Sequence, residues 1–158
     1  MNQSMAEQTA KNAELATKLQ ALHQQPSLMI ASLNADGSPL ISYAPFYERD
    51  GVFYVFVSLL AEHTPNLLER PQASVMLLRD EATTTNHFVR ERVRYEVVCR
   101  PVACEEAVYE SILQGLEQKQ GRIVALLKSL ADFYLIALEP TVGNLVAVSY
   151  THLRAHET

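Results

Sequence analysis

The stretch Ser27–Ser58, SLMIASLNADGSPLISYAPFYERDGVFYVFVS, restricts the possible folds of this chain more than any other. Three apolar runs are separated by two turn signals, Asn34-Ala35-Asp36-Gly37 and Glu48-Arg49-Asp50-Gly51. Asp-Gly between apolar runs is a hairpin cue, because glycine accepts the positive φ that tight hairpin turns need. The pattern predicts a three-stranded antiparallel meander: Leu28–Leu33, Pro39–Tyr47 and Val52–Ser58. In its middle strand, two-residue alternation puts Leu40, Ser42, Ala44 and Phe46 on one face, and Ile41, Tyr43, Pro45 and Tyr47 on the other. Pro45 has no N–H for a ladder, so it belongs at an edge, a bulge or a strand end. Small and hydroxyl residues beside aromatics suit a wall for a flat ligand, which makes Ser42 and Tyr43 candidate contacts. The bland alternative is that Ser42 and Ala44 only leave room for packing.

A chain of 158 residues suits one domain. Its net charge of −5 argues against wholesale nucleic-acid binding. Cys99 and Cys104 are too few for a disulfide framework and fit a reducing compartment. No apolar run approaches the roughly 20 residues of a membrane span, and the polar N-terminus lacks a signal-peptide core. These features predict a cytoplasmic protein without membrane insertion.

Residues 1–24 are polar, with Leu15, Leu19 and Leu22 at helical spacing, which predicts a helix from about Ala6 to His23 ended by Pro26. After the third strand, Thr64 and Pro65 read as the N-cap and first position of a short helix stopping at Pro71. His63 then falls just outside that helix, where an anion could lie, although an ordinary loop histidine is commoner. Ala73–Leu78 reads as a fourth strand buried on both faces. Phe88–Ala103 reads as one long strand with Arg90, Arg92 and Arg94 in a row on one face. Their forked donors match phosphate or carboxylate, and a solvated face is the even alternative. Glu105–Gln118 and Arg122–Leu130 read as a helical hairpin broken at Gly121, the second helix burying Ile123, Leu126, Leu127 and Leu130. Asp132 precedes a sixth strand, Phe133–Glu139; a turn at Pro140–Gly143 leads to a seventh beginning at Asn144.

The closing VSYTHLRAHET has no periodicity and resembles a tail produced when adapter DNA is read through. It predicts a native chain that departs near Ala147, with residues 148–158 a non-native or truncated tail, so His152 and His156 support no metal or haem site. Nucleotide P-loop, dinucleotide GxGxxG, HExxH, CxxC and nucleophile-elbow motifs are all absent.

The order of these elements resembles the pyridoxamine 5'-phosphate oxidase-like, FMN-binding split-barrel proteins, and within them the HugZ/HutZ haem-utilisation branch. SLMIASLNADGSPLISYAPF, AEHTPNLLERPQASVMLLRDE, FVRERVRYE and LADFYLIALEP carry the resemblance, over about residues 20–147. It implies a mainly β (α+β) fold: a six- to seven-stranded antiparallel split barrel with flanking helices, as a single domain over residues 1–147. It further implies a homodimer with sites at the subunit interface. Haem would be held there by an axial histidine from a C-terminal loop of one subunit, hydrogen-bonded by an aspartate of the other. Asp132 matches that aspartate; Ser27, Arg90 and Arg92 match positions lining the cleft. The loop that carries the histidine is not matched in this sequence.

The leading expectation is haem degradation for iron acquisition, with O₂ and an unidentified electron donor opening the porphyrin and the arginine row near the propionates. The alternative is an FMN-dependent oxidoreductase whose phosphate is held by the arginine row and Ser58. A third reading is a non-catalytic haem or flavin carrier.

Overall fold

The computed structural model describes residues 2–147, so the reading of residues 148–158 as a non-native tail lies outside the described residues. Two compact units divide the chain. One comprises the chain up to Gln25, Leu77–Val93 and the chain from Asn144; the other comprises Pro26–Met76 and Arg94–Gly143. The elements run α1 (Asn2–His23), β1 (Ser27–Leu33), β2 (Pro39–Pro45), β3 (Tyr47–Arg49), β4 (Val52–Ser58), α2 (His63–Glu69) and β5 (Gln72–Leu78). Short 3-10 turns at Glu81–Thr83 and His87–Val89 precede β6 (Arg92–Val102), α3 (Tyr109–Gln120), α4 (Ile123–Lys128) and β7 (Phe133–Val146). The seven strands form one sheet in the order β2-β1-β5-β6-β7-β4-β3. This is the mainly β, antiparallel split-barrel class with flanking helices that the sequence predicts.

The two turns form where Asp-Gly stands. Asp50 and Gly51 both have positive φ, 52° and 78°, and Arg49 faces Val52 in register. That is a two-residue turn of the type that follows strand twist. The first turn is longer: Asn34 donates its N–H to the Ser38 carbonyl, and Asp36 Oδ1 accepts from the Ser38 N–H and hydroxyl.

The meander is corrected. The predicted middle strand breaks at Phe46, and its two parts lie at opposite edges of the sheet, β2 beside β1 and β3 beside β4. Phe46 is fully buried and stacks edge-on against Phe53, with centroids 5.5 Å apart. Gln120 Nε2 donates to the carbonyls of Pro26 and Phe46, at 2.8 and 3.0 Å, which satisfies backbone that a ladder would otherwise serve.

β7 lies at the centre of its unit's core. Leu135, Ile136, Ala137 and Leu138 are all buried. Register sets Ile136 against Val55 and Leu138 against Phe53, so one face of β7 shares the face of those two buried residues. Leu135 and Ala137 point the other way, into a cluster with Ile112, Leu113, Leu116, Val124 and Val102. The expected turn at Pro140–Gly143 does not form; β7 continues to Val146. Pairing with β4 runs only from Phe133 to Leu138, so Pro140 stands where that neighbour has ended and its missing N–H costs no rung there.

Other differences have local causes. β5 buries Val75 and Leu77 but leaves Ser74, Met76 and Leu78 half-exposed, so it is not covered on both faces. α3 starts at Tyr109 rather than Glu105, because the Glu106 carboxylate folds back onto the Ala103 N–H and Arg100 in a turn. α4 is only six residues long and turns Val124 inward; Ile123, Leu126 and Leu130 stay exposed. Gly121 ends α3 with φ of 101°, as the predicted break requires.

Candidate functional site

Four of the residues singled out in the sequence are linked, with Thr64, from the middle of β2 through the start of α2 to the end of β4 and the turn before β7. His63 Nδ1 lies 2.8 Å from Ser42 Oγ, so β2 and the start of α2 are joined by side chains. The next residue, Thr64, donates its hydroxyl to the Ser58 carbonyl at the end of β4. Ser58 Oγ donates to Asp132 Oδ2 at 2.9 Å, and the Leu59 N–H donates to the Asp132 carbonyl at 2.7 Å. Asp132 therefore sits fixed just before β7, beside the last rung of the β4–β7 ladder, Ser58 opposite Phe133.

His63 differs from expectation. It is the first residue of α2, buried at 8% exposure, not a loop residue outside the helix. Thr64 is not the cap; Glu62 occupies that position and Thr64 lies inside the helix, its hydroxyl committed to Ser58. A helix of seven residues with its first side chains already spent offers no anion seat, so that reading of His63 is set aside.

Burial pushes the His63 imidazole below its usual value of 6.5. The unfolded chain gains a proton as pH falls through that value, while the folded chain resists until lower pH. The stabilisation is complete above 6.5 and is lost as pH falls from there toward the lowered folded value. A His63→Gln variant is expected to lose less thermal stability than the parent on the acid side of that value. Parallel melting-temperature profiles of the two proteins across this range would contradict it.

Of the remaining candidates, Tyr43 projects from β2 into solvent, and Ser27 is half-buried at the start of β1. The arginine row does not exist as predicted. Asn86 caps the His87–Val89 turn by accepting from the Phe88 N–H, so Arg90 precedes β6 instead of lying in it. Arg90 Nε donates to the Arg79 carbonyl at 2.7 Å, and Arg92 Nη1 to the Arg90 carbonyl at 2.9 Å. These guanidinium groups brace local backbone, with donors left over. Cys99 is buried and its thiol is pushed up to about 12, which makes it inert at neutral pH.

Sequence reasoning missed Thr64 as a link and Asn66 entirely. Asn66, 4% exposed, donates to Ser32 Oγ and Asn34 Oδ1 and accepts from Arg70 Nη2. The signal available was Asn66 and Arg70 one helical turn apart, a spacing that places both on one face.

Leucines stand next to the Ser58–Asp132 pair along the chain, Leu59 and Leu60 directly after Ser58 and Leu130 two residues before Asp132. Leu59 is 46% exposed, Leu60 88% and Leu130 47%. Asp132 Oδ1 takes no donor among the described residues. A fixed carboxylate with one open oxygen, with exposed leucines next to it along the chain, can accept a hydrogen bond from a ligand whose body is apolar. The described residues contain no cluster of three or more metal-ligating side chains, and no helix long and apolar enough to cross a membrane.

The family model described as pyridoxamine 5'-phosphate oxidase matches residues 15–147. The heme oxygenase HutZ of Vibrio cholerae serotype O1 is 31% identical over 123 residues, 78% of this chain and 70% of that protein. A crystal structure of HutZ from Vibrio cholerae, described there as a heme storage protein, superposes with a TM-score of 0.77 at 30% identity, over 83% of this chain and 92% of that one. ChuZ of Campylobacter jejuni gives 0.76 at 26% identity; the match covers 89% of this chain but only 56% of ChuZ. With its strand order and this coverage, the chain belongs to the pyridoxamine 5'-phosphate oxidase family, on its HutZ-like branch.

Proposed function

We propose that this protein binds haem for haem-iron utilisation and supports oxidative opening of the porphyrin, as a single split-barrel domain in a homodimer with its site at the subunit interface. The likeness to HutZ supports the ligand. The observation that carries the reading is the Ser58–Asp132 pair with exposed leucines next to it along the chain. This fits haem: an apolar macrocycle needs exposed apolar surface, and an axial imidazole needs an acceptor for its second N–H. Bound haem supplies the iron and the ring on which oxygen chemistry occurs, with electrons from an external donor.

In this reading Asp132 would accept the second N–H of an imidazole that holds haem; the resemblance gives that imidazole to a C-terminal loop that this sequence does not match, and added imidazole stands in for it in the test below. That fixes the imidazole tautomer and raises its basicity. Ser42 and His63 brace the scaffold behind Ser58 and Asp132. Ser27, Tyr43, Arg90 and Arg92 remain proposed cofactor contacts, the arginines toward carboxylates through donors not spent on backbone.

The FMN alternative asks Ser58 to hold a phosphate. Its hydroxyl proton is already given to Asp132, and a phosphate there would face that carboxylate. Like charges at such range disfavour each other, so haem is the better occupant of this spot.

Asp132→Asn is expected to weaken haem binding by about 10–100-fold and shift the Soret band when haem is titrated in the presence of imidazole. Unchanged affinity and spectrum would remove Asp132 from the site. The obligate dimer should bury more than ~2,000 Å²; sedimentation at micromolar concentration showing only the 17.7 kDa chain would contradict it.

A further inference from the structure

We infer that Ser58 is a positioning residue for Asp132: its hydroxyl holds one carboxylate oxygen and aims the other at the ligand. This rests on the haem reading above and goes beyond it, since there Asp132 is only an acceptor.

The geometry restricts what the Ser58 hydroxyl can do. It accepts the Leu60 N–H at 3.1 Å and donates to Asp132 Oδ2 at 2.9 Å. A hydroxyl has one proton. With one lone pair turned to the backbone by the tight turn after β4, that proton points at Asp132. The Ser58 carbonyl is held in turn by the Thr64 hydroxyl, and its strand position by the rung to Phe133.

Asp132 needs such a hold. It lies between the end of α4 at Lys128 and the start of β7 at Phe133, in a turn without helical or strand dihedral constraint. The Leu59 N–H fixes its backbone carbonyl, but only Ser58 among the described residues touches its carboxylate by a hydrogen bond. Without Ser58 the carboxylate rotates among its rotamers, and the open oxygen is no longer pre-aimed. An aimed acceptor is worth more to a ligand because the cost of ordering it is met before binding.

The bland alternative is that Ser58 only closes the turn through Leu60. The test is a haem titration in the presence of imidazole on the full chain, reading affinity and Soret position, for Ser58→Ala, Ser58→Thr, Asp132→Asn and the Ser58→Ala/Asp132→Asn double variant. Ser58→Ala is expected to weaken haem in the same direction as Asp132→Asn, by up to about 10-fold, the lower end of such outer-contact effects. Ser58→Thr keeps the hydroxyl and should restore parent behaviour. The double variant should be no weaker than Asp132→Asn alone, because both act through one carboxylate. If Ser58→Ala does not fold, Ser58→Cys, a poor donor of similar shape, takes its place. An effect of Asp132→Asn with none of Ser58→Ala, or additive effects in the double variant, would overturn the inference and leave the haem reading standing. No effect of either change would overturn both.

Discussion

Replacing Gly115 with alanine is expected to destabilise the protein by about 1–3 kcal/mol, the usual range for overpacking. The same exchange in an exposed helix would instead stabilise by about 1 kcal/mol. The sign turns on Tyr47: a Cβ on Gly115 would meet the Tyr47 ring at 2.3 Å from Cζ and 2.5 Å from Cε2. The ring is not free to swing away, because Tyr47 packs against the buried cluster of Ile112, Leu113, Leu116 and Leu135. Gly115 is thus what lets α3 close onto β3. A denaturant-unfolding cycle checks it. In a Tyr47→Ala background, Gly115→Ala should revert to stabilising by about 1 kcal/mol, its helix-propensity value. Destabilisation of the same size in both backgrounds would show that the ring is not the obstacle.

Asn66→Leu is expected to cost about 1–3 kcal/mol, the penalty for leaving a buried polar group without its partner. Leucine keeps the branched heavy-atom skeleton of asparagine, with bulkier methyl ends, but removes the bonds to Ser32 Oγ at 3.2 Å, Asn34 Oδ1 at 2.9 Å and Arg70 Nη2 at 3.0 Å. Ser32 is 3% exposed, so water does not readily replace the lost donor. These bonds tie α2 to the β1–β2 turn, and Arg70 Nε adds a bond to the Leu33 carbonyl at 2.7 Å. Adding Ser32→Ala to Asn66→Leu should recover part of the loss, because the orphaned hydroxyl is gone. A cost for Asn66→Leu within about 0.5 kcal/mol, the range of an ordinary surface change, would mean the network holds nothing.

What was legible in the sequence was local. Asp50-Gly51 specified its turn because positive φ is a property of those two residues alone. The alternation of β6 from Val93 to Cys99, and Ile112, Leu113 and Leu116 on α3, were legible because one face of each is buried. What was not legible depends on partners far along the chain. Phe46 breaks a run that reads as one strand, and Gln120, which satisfies its carbonyl, is 74 positions away. The arginine row failed because Asn86 caps a turn inside what reads as a continuous strand. The apolar spacing of Ile123, Leu126 and Leu130 named the wrong face of α4, since a helix of six residues buried only Val124. Ser58 and Asp132 could each be singled out, but their bond spans 74 positions and follows only from β4 pairing with β7.

The central claim, that haem is the ligand of this site, is tested most directly by an absorption titration of the purified protein with haem, set beside a titration with FMN. The account predicts an intense Soret band that saturates at equimolar haem and chain, with the weaker near-UV and blue bands of FMN left unperturbed by the protein. Saturable perturbation of the FMN bands, with a haem spectrum no different from that of haem in buffer, would contradict it.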